Sequence, residues 1–281
     1  MTYGCEINSP LRTSNVFDRV HVSYAIIGTT VVQWDLRSDF QDPPPHTFQL
    51  QVGQTENPQA DDWEDVGEAV VDAFYAVDME QRDWGALQRA TYRVSLTTAR
   101  GEYVSEPTAA TGVLDQRNWT DFRYVATKWT QMCRRRGGRA CKGWVLKARI
   151  GGGRCICTDL STGACTKPLC PLCYGTGRTC GYFAPMPNVW ALFDPQTAKG
   201  YLDPAGQQNS VLDAHAKARM LACPLIEERD VWVNDATDER WLVTNRGFQN
   251  ITEIRGIPVI VHVPLHIIDF GHPVYRFPIP R

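Results

Sequence analysis

The chain reads as a mainly β, multidomain protein, and three observations lead there. Short segments of alternating or continuous apolar residues, broken by proline, aspartate and glycine, occupy both ends of the 281 residues. One stretch near the middle changes to a period of three and four. Six of the ten cysteines fall within residues 155–180. The length exceeds the single-domain mode of roughly 100–150 residues, so several compact units are expected. Apolar residues at 43% and charged residues at 21% are ordinary globular values and exclude a disordered or fibrous chain. A formal charge of -2 exerts no global pull on nucleic acid or an anionic membrane. The opening MTYGCEINSPLR lacks the charged-then-apolar layout of a secretion signal, and no run approaches the ~18 apolar residues a membrane span needs. The expectation is a chain folded in reducing cytosol, without a membrane partner.

After an arm over residues 1–15, the stretches VHVSYAII, TTVVQWDL, HTFQLQVGQ and ATYRVSLTTARGEYVSEP carry strand patterns, and DDWEDVGEAV fits a middle strand with its turn. Short strands at this spacing predict a β-sandwich over residues 16–113. Trp34 sits early in a strand, and Tyr92-x-Val94-x-Leu96 is followed by Gly101-x-Tyr103-x-Ser105-Glu106-Pro107. On these residues the segment resembles a fibronectin type III domain. The resemblance implies a binding or spacer module with no catalytic residues, in which Trp34 and Tyr92 belong to the core. FYAVDMEQRDWGALQRA departs from that family's loop before the tyrosine.

Residues 114–142 form the next unit. Trp119, Phe122, Ala126, Trp129 and Cys133 make an amphipathic helical stripe, and Arg134-Arg135-Arg136-Gly137-Gly138 ends it with cations at the negative end of the helix dipole. KGWVLKARI then reads as a strand, leading through a flexible joint at Gly151-Gly152-Gly153.

Within residues 143–185, Cys155-x-Cys157 and Cys170-x-x-Cys173 are two close pairs twelve residues apart, a spacing that lets two turns place four thiolates around one ion. Four sulfurs at ~2.3 Å suit a structural zinc, one per chain. Cys165 or Cys180 could replace Cys155 or Cys157. Disulfides are the rival arrangement. Tyr174-Gly175-Thr176-Gly177 would let the backbone curl back to donate N–H groups to the sulfurs. The octet CPLCYGTG resembles one repeat of the zinc module of J-domain co-chaperones, which implies a zinc knuckle and nothing about chaperoning. Asp159, the one carboxylate in the cluster, serves equally as a turn cap, so a closed structural site is favoured over a catalytic one.

Residues 186–281 predict a small β domain with an extended arm. GYFAPMPNVWALFDPQTAKGYLDPAGQQN reads as loop, VLDAHAKARMLAC as a short helix, and RDVWVND, ERWLVTNRGFQNITEIRGIPVIVHVPLHIIDF and PVYRFPIP as strands. Hairpin breaks are expected at Asn234-Asp235 and Arg255-Gly256, with a buried strand over 257–263 ended by Pro264. No phosphate loop, dinucleotide fingerprint or nucleophile elbow is present in the sequence.

With no catalytic constellation, the parts predict a protein that presents surfaces rather than an enzyme. CPLCYGTG and IRGIPVIVHVPLHIIDFGHPVYRFPIP are similar to segments of head-to-tail joining proteins of tailed bacteriophages. That resemblance implies a virion structural subunit, made in host cytoplasm. It would sit in a neck, collar or connector as a ring-like homo-oligomer that contacts portal-side or tail-side proteins; a baseplate position is an alternative. Trp190, Phe193 and Tyr201 would then gain burial against a neighbour. Cys5, Cys133, Cys141 and Cys223 are candidates for cross-links after assembly. A rival class is a zinc-dependent nucleic-acid-binding factor using residues 134–139. A weaker one is a metallohydrolase built on His262, His266 and Asp269.

Overall fold

A computed structural model describes residues 16–24, 29–55, 58–59, 62–80, 82–110, 114–135, 140–159, 161–162, 165–194, 215–244 and 249–280. The arm at 1–15, with Cys5, lies outside them, as do Arg136, Arg139 and Tyr201.

The N-terminal strands are β1 (Phe17–Tyr24), β2 (Thr30–Leu36), β3 (Thr47–Gly53), β4 (Trp63–Val71) and β5 (Tyr75–Asp78). After a one-turn helix α1 (Trp84–Arg89) come β6 (Thr91–Thr98), β7 (Gly101–Val104) and β8 (Thr108–Ala109). They form two antiparallel sheets, β1-β2-β5 and β4-β3-β6-β7, with β8 also paired to β6. Val32, Trp34 and Leu36 of the first sheet share one core with Phe48, Leu50, Tyr92, Val94 and Leu96 of the second. Trp34 is fully buried, 5.1 Å from Phe48 between ring centroids, and its indole N–H donates to the Ala73 carbonyl. The Tyr92 hydroxyl donates to the Asp78 carboxylate at 2.6 Å, which satisfies a buried polar tip. The departure at FYAVDMEQRDWGALQRA is β5 followed by α1, whose Asp83 caps the helix by accepting from the Ala86 N–H.

Helix α2 (Gln116–Arg135) buries Phe122, Ala126, Trp129 and Cys133 of the stripe that the period predicts, with Thr130 besides, while Trp119 is half-buried. Phe122 and Ala126 join the N-terminal core, whereas Trp129 and Cys133 pack on Ala140 and Leu192. One amphipathic face therefore covers two bodies.

Strand β9 (Ala140–Leu146) opens the largest sheet, continued by β10 (Met186–Phe193), β11 (His215–Leu221), β12 (Val231–Asn234), β13 (Arg240–Val243), β14 (Gln249–Ile254) and β15 (Ile257–Ile267). The order β11-β10-β9-β12-β13-β15 closes on itself through β11–β15 pairing, giving a six-stranded antiparallel barrel from which β14 hangs as a hairpin partner of β15. Val145, Ala191, Ala218, Met220, Trp232, Val261, Val263 and Leu265 fill one core. Alternate positions such as Leu146, Val231 and Val233 belong to a second cluster with Tyr182 and Val274.

Residues 215–221 of VLDAHAKARMLAC form a strand, not a helix: Ala218 and Met220 are buried while Lys217 and Arg219 are exposed, a period of two imposed by pairing with β15. Residues 186–193 form strand β10 rather than loop, because β9 offers it an antiparallel partner. Pro264 does not end its strand. Its carbonyl accepts from the Thr244 N–H one residue past the end of β13, so the donor that proline lacks falls at the end of that ladder rather than in its interior. PVYRFPIP contains a 3-10 turn over Pro273–Arg276, with the His272 side chain accepting from the Val274 N–H.

The triplet at residues 151–153 is packed rather than a flexible joint. A Cβ on Gly151 would lie 2.5 Å from the Arg37 carbonyl oxygen, one on Gly152 3.2 Å from the His46 ring, and one on Gly153 3.1 Å from Pro43. Gly151 leaves no room for a side chain and Gly152 has a φ of +99°, because the chain here passes directly against the β2–β3 connection. The Gly152 N–H also donates to the Phe40 carbonyl at 2.9 Å.

Candidate metal centre

The cysteine-rich segment is an excursion between two neighbouring barrel strands, β9 and β10. Arg154 and Arg178 pair as an antiparallel bridge at its neck, and the Cys155 N–H donates to the Gly177 carbonyl. The chain then makes two turns. The first holds Cys155 and Cys157. The second runs from Lys167, whose carbonyl accepts from the Cys170 N–H, through Cys173 to Gly177. Positive φ angles at Tyr174 (53°), Gly175 (88°) and Gly177 (78°) curl the backbone back, as the small residues predict.

The result gathers Cys155, Cys157, Cys170 and Cys173, whose sulfurs all lie within 4.8 Å of one another and are buried. Cys157 Sγ is 3.3 Å from Cys173 Sγ, and Cys155 Sγ is 3.9 Å from Cys170 Sγ. Tetrahedral thiolates at ~2.3 Å from one ion would sit about 3.8 Å apart, so the donor set fits a four-coordinate cation. Backbone N–H groups of Gly175 and Gly177 face the Cys173 sulfur, and those of Leu172 and Cys173 face Cys170. Burial pushes the Cys157 and Cys173 thiols up, Cys173 to about 12, whereas at Cys170 burial is outweighed by the backbone donors of Leu172 and Cys173 together with the Cys157 and Cys173 thiols, which bring it down to about 7. Sulfurs this close cannot all ionise unless a cation stands among them. Four close cysteines here could hold a metal ion.

Of the two replacement candidates, Cys165 comes close and Cys180 does not join. Cys165 Sγ lies 3.3 Å from Cys157 and 3.6 Å from Cys173, brought there by the bridge between Thr158 and Cys165. Cys165 therefore borders the four as a fifth sulfur rather than replacing Cys155 or Cys157 among the four gathered sulfurs. Cys180 is exposed. Asp159 accepts from the backbone N–H and hydroxyl of Ser161, which makes it a turn cap. Among the other described cysteines, Cys133 is buried and Cys141 and Cys223 are half-buried, and none of the three is in a disulfide.

The knuckle is seated on both sides. Tyr174 packs at 6.1 Å on Tyr182 and 5.5 Å on Phe277, and Arg178 donates to the carbonyls of Gly152 and Ser38. Beside it, Lys147 is buried between Glu227 at 2.6 Å and Asp230 at 3.2 Å, while Arg19 bridges Glu227 to Asp35. This chain of charges ties β1 and β2 to the barrel.

The imagined metallohydrolase residues do not converge. His262 Nε2 accepts from Arg219 Nε at 3.1 Å, and the Asp269 carboxylate accepts from the Gly271 N–H. Phe193 packs on its own chain, 5.5 Å from Trp232 and 5.4 Å from Trp241, and Trp190 lies beside the Trp129 cluster; both are half-buried. Comparison of the chain with protein-family models, curated proteins and solved structures finds no match.

Proposed function

We propose that this chain is a structural protein whose knuckle is braced by zinc and presents an apolar tip to a neighbouring subunit. The observation that carries the reading is the contrast between buried sulfur and exposed aliphatic side chains on the same two turns. Ile156 is 92% exposed, Leu169 65% and Leu172 54%, each directly beside a cysteine that faces inward. Apolar surface left open on a rigid support gains free energy when a partner covers it. An all-thiolate tetrahedron favours zinc and leaves no open position for water or substrate, which supports a non-catalytic role.

The assembly we infer is a ring-like homo-oligomer in the neck, collar or head-to-tail connector of a tailed phage, assembled in host cytoplasm and carried in the virion beside portal-side or tail-side proteins. Its support is the resemblance of CPLCYGTG and the last strands to such proteins. The order β1-β2-β5 against β4-β3-β6-β7 supports reading residues 16–113 as a fibronectin type III-like spacer. Helix α2 would link it to the metal module and the C-terminal β domain.

The test combines elemental analysis with light-scattering mass on the purified full chain. One zinc per chain and a multi-subunit mass are expected, and I156E/L172E lowers the mass without loss of zinc. A folded, metal-free chain overturns the metal assignment, and a zinc-loaded monomer at high concentration overturns the assembly.

A further inference from the structure

A second concave site lies between the knuckle, the turn after β2 and the turn before β12. It is a polar cleft of about 400 Å³. Five cations line it, Lys147, Arg149, Arg154, Arg178 and Arg229, against three carboxylates, Glu227, Glu228 and Asp230. Lys147 is engaged by Glu227 and Asp230, and Arg149 by Asp72 at 2.7 Å. What remains is three guanidiniums facing the single carboxylate of Glu228.

Those three are poised differently. Arg178 is held in place by its two bonds to the carbonyls of Gly152 and Ser38, which leave other N–H donors unspent. Arg154 stands opposite it in the bridge at the knuckle's neck, so two like charges share one side of a narrow ribbon. Burial, with the charge of Arg154 added, lowers the Arg178 guanidinium below its ordinary value. Neither the Arg154 nor the Arg229 guanidinium has a hydrogen-bond or ion-pair partner among the described residues, and both residues are exposed; their backbones are held by Thr179 and Val243. Arg229 also sits at φ 77°, a left-handed conformation that a non-glycine residue adopts at a cost. No cysteine lines the cleft, so it is separate from the sulfur cluster.

We infer that this cleft binds a phosphate-class oxyanion, held by Arg154, Arg178 and Arg229. Guanidinium forks match phosphate oxygens in pairs, and three forks supply more donors than the two oxygens of a carboxylate can accept. The group can come from free phosphate or pyrophosphate, or from a nucleic-acid backbone threading the cleft. This site lies apart from the Arg134–Arg135 end of α2. It is independent of the reading of the knuckle tip as a subunit contact.

The experiment uses the full, metal-loaded chain at low salt. Inorganic pyrophosphate is titrated calorimetrically, and a fluorescent single-stranded oligonucleotide is followed by anisotropy. Pyrophosphate binding is expected, weakened at least tenfold in R154A/R229A and unchanged in R134A/R135A. If the oligonucleotide also binds, is displaced by pyrophosphate and is lost in R154A/R229A, the source is a nucleic-acid backbone, and its affinity falls with salt as two to three released counterions require. If only pyrophosphate binds, the source is a free anion. Zinc content and melting temperature of R154A/R229A are checked against the parent, with the single substitution R154E as a second variant. No binding of either probe overturns the inference. So does binding that survives both R154A/R229A and R154E, or that follows R134A/R135A instead.

Discussion

The Arg149 guanidinium donates to Nδ1 of His46 at 3.3 Å, while His46 Nε2 lies 3.0 Å from the Asp42 carbonyl oxygen. The ring must therefore carry its proton on Nε2 and stay neutral. Burial is the main cause that holds its pKa below the ordinary 6.5, and the facing Arg149 adds to it, against Asp42 and Asp72. A depressed value means that the unfolded chain takes up the proton first on acidification. His46 thus contributes stability above about pH 6.5 that is lost as pH falls. The melting-temperature gap between the parent and H46Q should shrink from pH 7.5 to pH 5. A constant gap would show that the ring titrates alike in both states. The comparison must be differential because Asp230, raised to about 6 by burial, acts in the opposite sense.

Among the cysteines, the geometry separates ligands from bystanders. Substituting serine at Cys170 or Cys173 should abolish metal binding and loosen the segment between β9 and β10, since a structural zinc is worth on the order of 10 kcal/mol to such a fold. C165S and C180S should keep a full complement of metal. Elemental analysis of the four variants decides the matter, with retention in C173S as the contrary result.

Lys147 occupies a fully enclosed position between two carboxylates. K147M strands Asp230, which is 1% exposed, without its cation and should cost about 3–5 kcal/mol. The double variant K147M/D230N should recover part of that loss. Urea denaturation midpoints measure both, and equal midpoints for the two variants would mean that the ion pair is not the source.

Two glycines give a steric contrast. A Cβ on Gly143 would fall 2.3 Å from the Val233 carbonyl oxygen and 2.6 Å from the Trp232 ring, so G143A should cost about 3 kcal/mol or more. Gly67, at φ 65° with nothing within 4 Å, should lose only about 1–2 kcal/mol on replacement by alanine. Thermal unfolding that ranks the two the other way round would refute the packing around Trp232.

Periodicity and spacing carried much of this structure at the level of single elements. The stripe from Trp119 to Cys133 specified α2, because a helix must turn one face inward whatever lies against it. Arg255-Gly256 specified a tight hairpin, and both residues have positive φ, 54° and 78°. Cys155, Cys157, Cys170 and Cys173 could be picked out because thiolates that share an ion must come in short, turn-compatible pairs.

Contacts between distant segments were beyond such reading. Residues 215–221 carry helix-favouring alanine, leucine and methionine, yet ladder bonds from β15 make them a strand. Closure of the barrel, the tight seat of Gly151 against Arg37, the approach of Cys165 to Cys157 and the gathering of Arg154, Arg178 and Arg229 all depend on residues far apart in the chain. Local sequence determines which face an element hides and where it turns. Only the packed fold decides what that face meets, because backbone partners and close approaches are supplied by other parts of the molecule.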